Sequence, residues 1–280
     1  MNLPPGWPIG LEDRLPAPLA AISKLGGNYL LRLADGSAIF AKAGSAPGLE
    51  AEAAGLRWLA EAEGLVVELL GHKDTFLLTR WCEPVQADPD AARRFGASLA
   101  RLHRLGAPSF GAPWAGFIGP LPMDNSPATD WIAFYGSQRV LPYVTQAVDR
   151  GAMTLSQARD VKEALDAAQG LPGLDEAPSR IHGDLWSGNV VWTSRGACIV
   201  DPAAHGGHRE TDLGMLQLFG LPYLEDAIGG YDREYPLMAG WRERVPLHQL
   251  HPLAVHAVLF GPSYGHQCAA AARSFLASRA

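Results

Sequence analysis

The sequence predicts an α+β protein of two lobes, a small N-terminal antiparallel β lobe with one helix and a larger, mainly helical C-terminal lobe. Alternating apolar residues around tight turns predict strands before residue 83, and helical periodicity dominates after Glu83-Pro84. A chain of 280 residues is long for one core and short for two independent domains. We therefore expect an N-terminal lobe over residues 1–83 and a C-terminal lobe over residues 84–280 that share a cleft.

The first predicted β-hairpin joins strands at 29–33 and 38–42 through Ala34-Asp35-Gly36. Gly26 and Gly27 precede this hairpin, and paired glycines between strands let backbone amides approach the phosphates of a nucleotide. Because the full G-x-G-x-x-G pattern is missing, an ordinary turn is an equal alternative for these two glycines.

Lys42 ends the second strand, and a helix is predicted over residues 49–63, where apolar residues recur on one face. Glu52 on this helix can reach back to Lys42, with Glu50 as the alternative partner. A strand lysine held by a glutamate of the next helix is an arrangement that binds nucleotide phosphates. Further strands are expected at 66–71 and 75–81, and the backbone near 79–82 would then face an adenine ring.

The second lobe is predicted to consist mainly of helices. Asp88 and Pro89 indicate the start of a helix that ends near residue 105. The Gly- and Pro-rich residues 106–127 predict a long loop, and Thr129 or Asp130 would cap the helix after it. Additional helices are expected over residues 154–168 and through most of residues 221–280.

The segment from Arg180 to Asp201 carries the most specific signal in the chain. Asp184 and Asn189 lie five residues apart in a Gly- and Ser-containing stretch that favours an irregular loop. A hairpin predicted from strands at 190–193 and 197–200 would return Asp201 to this loop. This set supplies a proton acceptor and hard oxygen ligands for Mg²⁺ at the spacing of a protein-kinase catalytic loop.

This pattern predicts phosphoryl transfer from ATP in a protein-kinase-like fold. Asp184 would accept the proton of the attacked hydroxyl, while Asn189 and Asp201 would hold Mg²⁺ against the phosphates. Lys42 would neutralise the phosphates, and Glu52 would fix Lys42. The alternative is a β-hairpin whose polar loop only satisfies turn backbone groups.

Other patterns in the chain suggest different chemistry but lack necessary partners. His205 and His208 have no further soft ligands at a zinc spacing. The G-x-S-x-G run at 261–265 resembles a hydrolase nucleophile elbow, yet no acid follows Ser263 in the sequence. A G-x-x-x-x-G-K-[ST] phosphate loop is absent from the sequence. We expect structural roles for Asp212, at a helix start, and for His103, on an apolar helix face.

Composition narrows the classes of partner. The net charge of −6 gives no electrostatic reason to expect nucleic acid or an anionic membrane, and no stretch of the sequence is long and apolar enough to span a bilayer. The Pro-rich residues 1–10 lack the features of a secretory signal, and three scattered cysteines suit a reducing compartment. We expect a cytoplasmic protein and favour a monomer, although the sequence leaves the oligomeric state open.

Nearly the whole chain resembles the fructosamine (ketosamine) kinase family, relatives of the aminoglycoside and choline phosphotransferases. Residues His182-Gly183-Asp184-Leu185-Trp186-Ser187-Gly188-Asn189 resemble its catalytic loop, and the Leu-Trp-Ser insert separates this loop from the aminoglycoside group. Residues 201–204 and 207–213 are similar to its metal segment and the helix that follows. The substrate-lobe helix of the family is similar to a third set of residues in this chain, Asp124-Asn125, Trp131, Phe134 and residues 139–142.

The resemblance implies ATP- and Mg²⁺-dependent phosphorylation of a sugar hydroxyl on a ketosamine, an amine or protein lysine that has reacted with a sugar. Deglycation repair is the implied role, because phosphorylation destabilises the adduct. The implied substrate contacts are Trp186, Asp124, Trp131, His208 and Arg209, and for Trp186 simple packing of the loop is an equal alternative. An aminoglycoside-type or other small-molecule phosphotransferase is the alternative function. The sugar and the amine, free or protein-bound, stay open.

Overall fold

The computed structural model describes residues 4–8, 10–62 and 64–279. The N-terminal lobe contains β1 (Leu19–Leu25), β2 (Asn28–Leu33), β3 (Ala38–Ala43), α1 (Ala46–Leu59), β4 (Leu69–Lys73) and β5 (Phe76–Arg80). Among the described residues these strands form one antiparallel sheet in the order β1-β2-β3-β5-β4. The predicted small antiparallel β lobe with one helix is therefore confirmed.

Alternation along the strands builds the core of this lobe. Leu31 pairs with Ile39 and Ala41 pairs with Leu78, and all four side chains are fully buried together with Leu11. Because side chains alternate along a strand, every second residue of β3 points to the opposite face of the sheet, where α1 lies. Lys42 is thereby directed toward the helix that carries Glu52.

Helix α1 begins three residues earlier than predicted, because Pro47 lies in its first turn, where a missing backbone N–H costs no hydrogen bond. Its last residue is Leu59, and the predicted end at Glu63 lies outside the described residues. Residues 81–88, which contain neither helix nor strand, lead out of the sheet. A lobe boundary at Glu83 stays a prediction.

The C-terminal lobe is mainly helical, as predicted. Its helices in chain order are α2 (Pro89–Arg104), α3 (Trp131–Phe134), α4 (Leu141–Asp149), α5 (Leu155–Ala167), α6 (Glu210–Phe219), α7 (Leu224–Glu234), α8 (Trp241–His248), α9 (Leu250–Phe260) and α10 (Pro262–Ala277). A π-helical segment, Tyr135–Val140, joins α3 to α4. The short strands are β6 (Gly116–Ile118), β7 (Leu121–Met123), β8 (Ser179–Ile181), β9 (Val190–Thr193), β10 (Gly196–Ile199) and β11 (His205–Gly207).

Local capping explains where several of these helices begin. The side chain of Asp88 accepts a hydrogen bond from the Ala91 amide, and Asp130 caps α3 in the same way at 2.7 Å from the Ala133 amide nitrogen. Thr154 and Gln157 form a reciprocal capping box at the start of α5. The predicted starts of α2, α3 and α5 are therefore confirmed, and Asp130 rather than Thr129 caps α3.

One region differs from the sequence-based expectation, and another excludes the hydrolase nucleophile elbow. The predicted loop at 106–127 contains the β6–β7 hairpin, whose strands have only three residues each and therefore show no detectable periodicity. The G-x-S-x-G run at 261–265 opens α10 directly after α9, so Ser263 does not follow a strand as a nucleophile elbow requires. None of the described helices is long and apolar enough to cross a membrane.

The hairpin formed by β9 and β10 positions the most specific motif of the chain. Val190 pairs with Ile199 in antiparallel register, and the Val200 amide donates to the Asn189 carbonyl oxygen at 3.0 Å. The chain therefore returns to Asn189 just before Asp201. Behind the hairpin, Trp192 packs edge-on against Phe95 of α2, with the ring centroids 5.8 Å apart.

Candidate active site

A three-residue ion cluster connects the two lobes. Lys42 Nζ lies 2.8 Å from Glu52 Oε2 and 3.1 Å from Asp201 Oδ1. Lys42 and Glu52 come from β3 and α1, whereas Asp201 follows β10 in the other lobe. Glu50, the alternative partner, is exposed on α1. The structure thus pairs Lys42 with Glu52 and brings Asp201 to the same point.

Asp184 and Asn189 contact each other within the irregular loop that the sequence predicts. Asn189 Nδ2 donates to the Asp184 backbone oxygen at 2.8 Å and lies 3.3 Å from Asp184 Oδ2. This pairing occupies the amide nitrogen of Asn189 and leaves its side-chain oxygen for a cation. The carboxylate of Asp184 and a potential metal ligand are therefore held side by side.

Asp212 of α6 anchors the start of this loop. Its buried carboxylate accepts hydrogen bonds from the His182 and Gly183 amides at 2.7 and 2.9 Å. His103 Nε2 lies 3.1 Å from the same carboxylate, and His103 Nδ1 lies 2.8 Å from the Tyr231 hydroxyl. Burial alone would raise the pKa of Asp212, but these hydrogen bonds outweigh it and the pKa is lowered. Asp212 and His103 thus have the structural roles predicted for them.

His182 is a neutral support of the loop. Its Nε2 donates to the Val200 carbonyl oxygen at 2.9 Å, and its Nδ1 accepts from the Asp184 amide at 3.3 Å. Complete burial lowers the pKa of His182, which keeps the ring uncharged. The neutral ring thereby links the loop to the strand that ends at Asp201.

The carboxylates of the site carry more negative charge than Lys42 balances. Burial, with the nearby Asp201 and Asp212 carboxylates, raises the pKa of Asp184 to about 6, although Asn189 and Lys42 oppose the rise. Burial also raises the pKa of Glu52 to about 7, with Asp201 adding to the effect and Lys42 opposing it. An excess of closely spaced oxygen ligands is what a divalent cation requires, so the residues present fit Mg²⁺.

Lys42, Glu52, Asp184, Asn189 and Asp201 line one cleft of about 390 Å³. Among the described residues, these five are the charged and carboxamide side chains of its lining. Asp201 has a φ of 55°, a left-handed conformation that Asp tolerates better than most residues and that is enriched at functional sites. Trp186 also lines the cleft, and 41% of its surface is exposed.

An apolar cavity of about 250 Å³ adjoins this cleft and shares Glu52 and Asp201 with it. It lies between the sheet, the start of the linker and the β9–β10 hairpin. Its other lining residues are Phe40, Val67, Leu77, Thr79, Arg80, Trp81, Cys82, Pro84, Val191 and Val200. A flat apolar ring fits such a cavity, because apolar lining with a few polar groups is typical of small-molecule sites.

Known proteins resemble this chain in sequence and in fold. Residues 28–278 match the family model described as fructosamine kinase. The chain belongs to the fructosamine kinase family. A Thermobifida fusca protein provisionally described as a fructosamine-3-kinase has a crystal structure with a TM-score of 0.90 and 49% sequence identity, covering 94% of both chains. A probable ketoamine kinase of Enterococcus faecium is 34% identical over 194 residues, 69% of each chain.

A more distant match defines the fold. An aminoglycoside phosphotransferase from Alicyclobacillus acidocaldarius has a TM-score of 0.60 at 17% identity, covering 99% of this chain and 95% of that one. This fructosamine kinase family member therefore has the protein-kinase-like fold predicted from its catalytic loop. Membership also makes it a phosphotransferase, and the kinase family implies ATP as the phosphoryl donor.

Three residues that the resemblance assigned to substrate lie in the core of this family member. Trp131 is 2% exposed and stacks on Tyr135 with ring centroids 4.6 Å apart. His208 is buried, its Nε2 lies 2.8 Å from the Gly173 carbonyl oxygen, and burial beside His248 lowers its pKa to about 3. Arg209 is buried and donates two hydrogen bonds to the Glu176 carboxylate. The structure brings none of the three to the cleft, because their side chains fill the second lobe.

Asp124 and the glycine pair also lie away from the described cleft linings. The Asp124 carboxylate accepts hydrogen bonds from the amide and hydroxyl of Ser126 at the exposed end of β7. Gly26 and Gly27 form the exposed β1–β2 turn, with Gly26 at a φ of 61°. That turn agrees with the ordinary-turn alternative, and contact between these glycines and phosphates stays a prediction.

Two cleft-lining aromatic residues, Trp114 and Phe117, were not predicted as site residues. They lie at and just before β6, in the region that the sequence indicated as a loop. Aromatic residues in a Gly- and Pro-rich stretch are an unspecific signal, since such residues more often pack a loop against its own lobe. Only the path of the β6–β7 hairpin brings them to Asp184.

Proposed function

We propose that this protein transfers the γ-phosphoryl group of ATP, with Mg²⁺, to a sugar hydroxyl of a ketosamine. The observation that carries the proposal is the contact of Lys42 with Glu52 and Asp201 in a cleft that also contains the Asp184–Asn189 pair. The ketoamine and fructosamine kinase descriptions of the related proteins support a ketosamine as the acceptor. Deglycation is the corresponding role, because phosphorylation of the sugar destabilises the adduct.

Asp184 acts as the proton acceptor in this mechanism. Its pKa of about 6 leaves the carboxylate deprotonated at neutral pH and close enough to neutrality to accept a proton as the hydroxyl attacks. The Asp212 carboxylate accepts hydrogen bonds from the His182 and Gly183 amides, and His182 Nδ1 accepts one from the Asp184 amide. These bonds hold the loop backbone, so that the Asp184 carboxylate keeps one position. A fixed base typically contributes about 10²–10⁴-fold to the rate.

Asn189 and Asp201 would hold Mg²⁺, which when bound neutralises charge on the transferring phosphoryl group. Lys42 binds the phosphates, and its paired position with Glu52 directs the ammonium group into the cleft. Burial lowers the pKa of Lys42, but the Glu52 and Asp201 carboxylates outweigh burial and raise it, so Lys42 stays charged. The adenine ring occupies the apolar cavity beside the linker.

Trp186 contacts the sugar in this proposal. A Cβ at Gly188 would lie 2.3 Å from the Trp186 ring, so the ring rests directly on the loop. The edge of Phe219 lies against Trp186 with the centroids 6.2 Å apart. The 41% of Trp186 that stays exposed belongs to a residue lining the cleft. The ring therefore combines packing against the loop with a surface for substrate.

The test is an ATP-consumption screen with purified protein and Mg²⁺ over fructosamines, ribulosamines, erythrulosamines and aminoglycosides. We expect turnover with at least one ketosamine class and none above background with aminoglycosides. Free and peptide-bound forms of the accepted ketosamine then separate small-molecule from protein substrates. Turnover of aminoglycosides alone would contradict the proposed acceptor while leaving phosphoryl transfer intact.

A further inference from the structure

The segment around the β6–β7 hairpin supplies a wall of the cleft that the proposed mechanism does not use. Trp114, Phe117 and Met123 line the same cavity as Asp184 and Trp186. Trp114 and Phe117 are only half-buried, although neighbouring Ile118 and Met123 are buried in the lobe. Large apolar rings that remain partly exposed in a cleft are available to a ligand.

Buried polar groups hold this wall in place. Asn125 Nδ2 donates to the Trp114 carbonyl oxygen at 3.2 Å, and Arg139 Nη2 donates to Asn125 Oδ1 at 2.6 Å. Arg139 is 1% exposed and also donates to the Asp124 carbonyl oxygen. Tyr143 contributes a hydrogen bond to the Pro122 carbonyl oxygen at 2.9 Å. The hairpin is therefore a fixed surface and is anchored to the second lobe on both sides of the wall.

The charge of the cleft determines what this wall can recognise. Among the described residues, the carboxylates that line the cleft are Glu52, Asp184 and Asp201. Glu52 and Asp201 contact Lys42, and Asp184 is the proposed base. A ketosamine carries a secondary amine that is protonated at neutral pH, and no further lining carboxylate in the described part of the chain is left for it. The faces of Trp and Phe rings attract such cations.

Space for the rest of the amine lies beyond Trp114. Trp114 and Ala51 also line a neighbouring cavity of about 420 Å³, whose other lining residues include Glu50, Arg57 and His72. The aglycone, which is the amine-bearing half of a ketosamine, varies in size between substrates. Trp114 lines both the cleft and the outer cavity. In the proposed complex its ring therefore lies at the junction between the sugar, which is constant, and the aglycone, which varies.

We propose that Trp114 and Phe117, together with Trp186, form an aromatic wall that binds the ammonium group of the ketosamine and determines specificity for a singly charged amine. The inference rests on the proposed function and extends it to the substrate's second half. Beyond the three cleft carboxylates, the described lining of the cleft and the outer cavity offers a polycationic aminoglycoside one further carboxylate, Glu50. A neutral sugar ether lacks the charge that the rings attract.

The experiment compares an N-alkyl fructosamine with its neutral analogue, in which an ether oxygen replaces the amine. For the wild-type protein we expect a kcat/KM that is about five- to thirty-fold higher for the amine, which is the range of a cation–aromatic contact. Trp114→Leu combined with Phe117→Leu should reduce this ratio to below about two, through KM of the amine, with KM for ATP unchanged. Trp114→Phe keeps a ring and should preserve most of the preference.

Trp241→Leu is the matched control, because Trp241 lies at the start of α8 and is not among the described lining residues of these cavities. It should leave the preference for the amine unchanged. An equal loss for the amine and the ether in the double variant would overturn the proposal, since the rings would then act by shape alone. Unchanged KM for the amine would overturn it as well. Failure of the wild type to phosphorylate any ketosamine would instead contradict the proposed function, and retained melting temperatures separate both results from misfolding.

Discussion

Asp184 shows how the burial of one carboxyl group sets the chemistry of the site. Its environment is largely shielded from water and faces other carboxylates, and both effects disfavour the charged form. The resulting pKa of about 6 lies nearer to neutrality than that of an exposed aspartate. A base with this pKa is mostly free of its proton in a neutral cell and still accepts one readily.

The pH dependence of turnover follows from this pKa. We expect kcat/KM to fall toward tenfold per pH unit below about pH 6, because protonated Asp184 cannot accept the hydroxyl proton. The measurement is a pH profile from 5 to 8. The residual activity of Asp184→Asn serves as the control, since any slope from ATP or Glu52 titration remains in that variant. A wild-type profile no steeper than that of the variant would argue against Asp184 as the base.

The structure brings some of the predicted site residues into one cleft and leaves others outside it. Lys42 and Glu52 were predicted from a strand end and the helix after it, and Asp184, Asn189 and Asp201 from the spacing of the loop and hairpin. The structure brings all five into one cleft. Trp131, His208 and Arg209 were expected to contact the substrate but are buried. A resemblance in sequence does not specify which way a side chain points. Trp114 and Phe117 lacked any pattern that the sequence could reveal.

Among the elements, those defined by turn chemistry or long periodicity were predictable. The β9–β10 hairpin and helices α2 and α5 have the positions that their turns and caps indicate, within one or two residues. The β6–β7 hairpin was missed because three-residue strands carry too few alternating positions. The π-helical segment 135–140 has no sequence signal that distinguishes it from an α-helix.

The close crossing of α2 and α7 depends on two glycines. A Cβ at Gly96 would lie 1.8 Å from the Ala227 carbonyl oxygen, and a Cβ at Gly230 would lie 2.1 Å from the Arg93 carbonyl oxygen. Each position faces rigid helix backbone, so Gly96→Ala and Gly230→Ala should each lower the free energy of unfolding by about 1–3 kcal/mol. Urea denaturation midpoints measure this effect.

Gly229→Ala is the matched control for that pair. Its Cβ would meet only the end of the Arg233 side chain, at 3.9 Å, within the same helix α7. We expect an unchanged or higher midpoint, with a gain of up to about 1 kcal/mol from the better helix propensity of alanine. Equal destabilisation by Gly229→Ala and Gly230→Ala would show that the close crossing is not the cause.

At the scale of the whole molecule, the site exists only where the two lobes meet. The ammonium group of Lys42 belongs to the first lobe, and the carboxylate of Asp201, 3.1 Å away, belongs to the second. The two-lobed α+β fold class was predictable because strand patterns dominate residues 1–83 and helix patterns dominate residues 84–280. The shape of the cleft beside Trp114 and Phe117 was not predictable, since it depends on where the β6–β7 hairpin packs against α1.

We propose that Asp184, as the base, and Asp201, as a metal ligand, act together in phosphoryl transfer in the cleft between the lobes. The most direct measurement is kcat for ATP-dependent phosphorylation of an accepted ketosamine by the wild type, Asp184→Asn and Asp201→Asn at saturating Mg²⁺. We predict a loss of about 10²–10⁴-fold for Asp184→Asn and at least as large a loss for Asp201→Asn. Near-normal turnover by folded Asp201→Asn protein would show that Asp201 is not a required metal ligand.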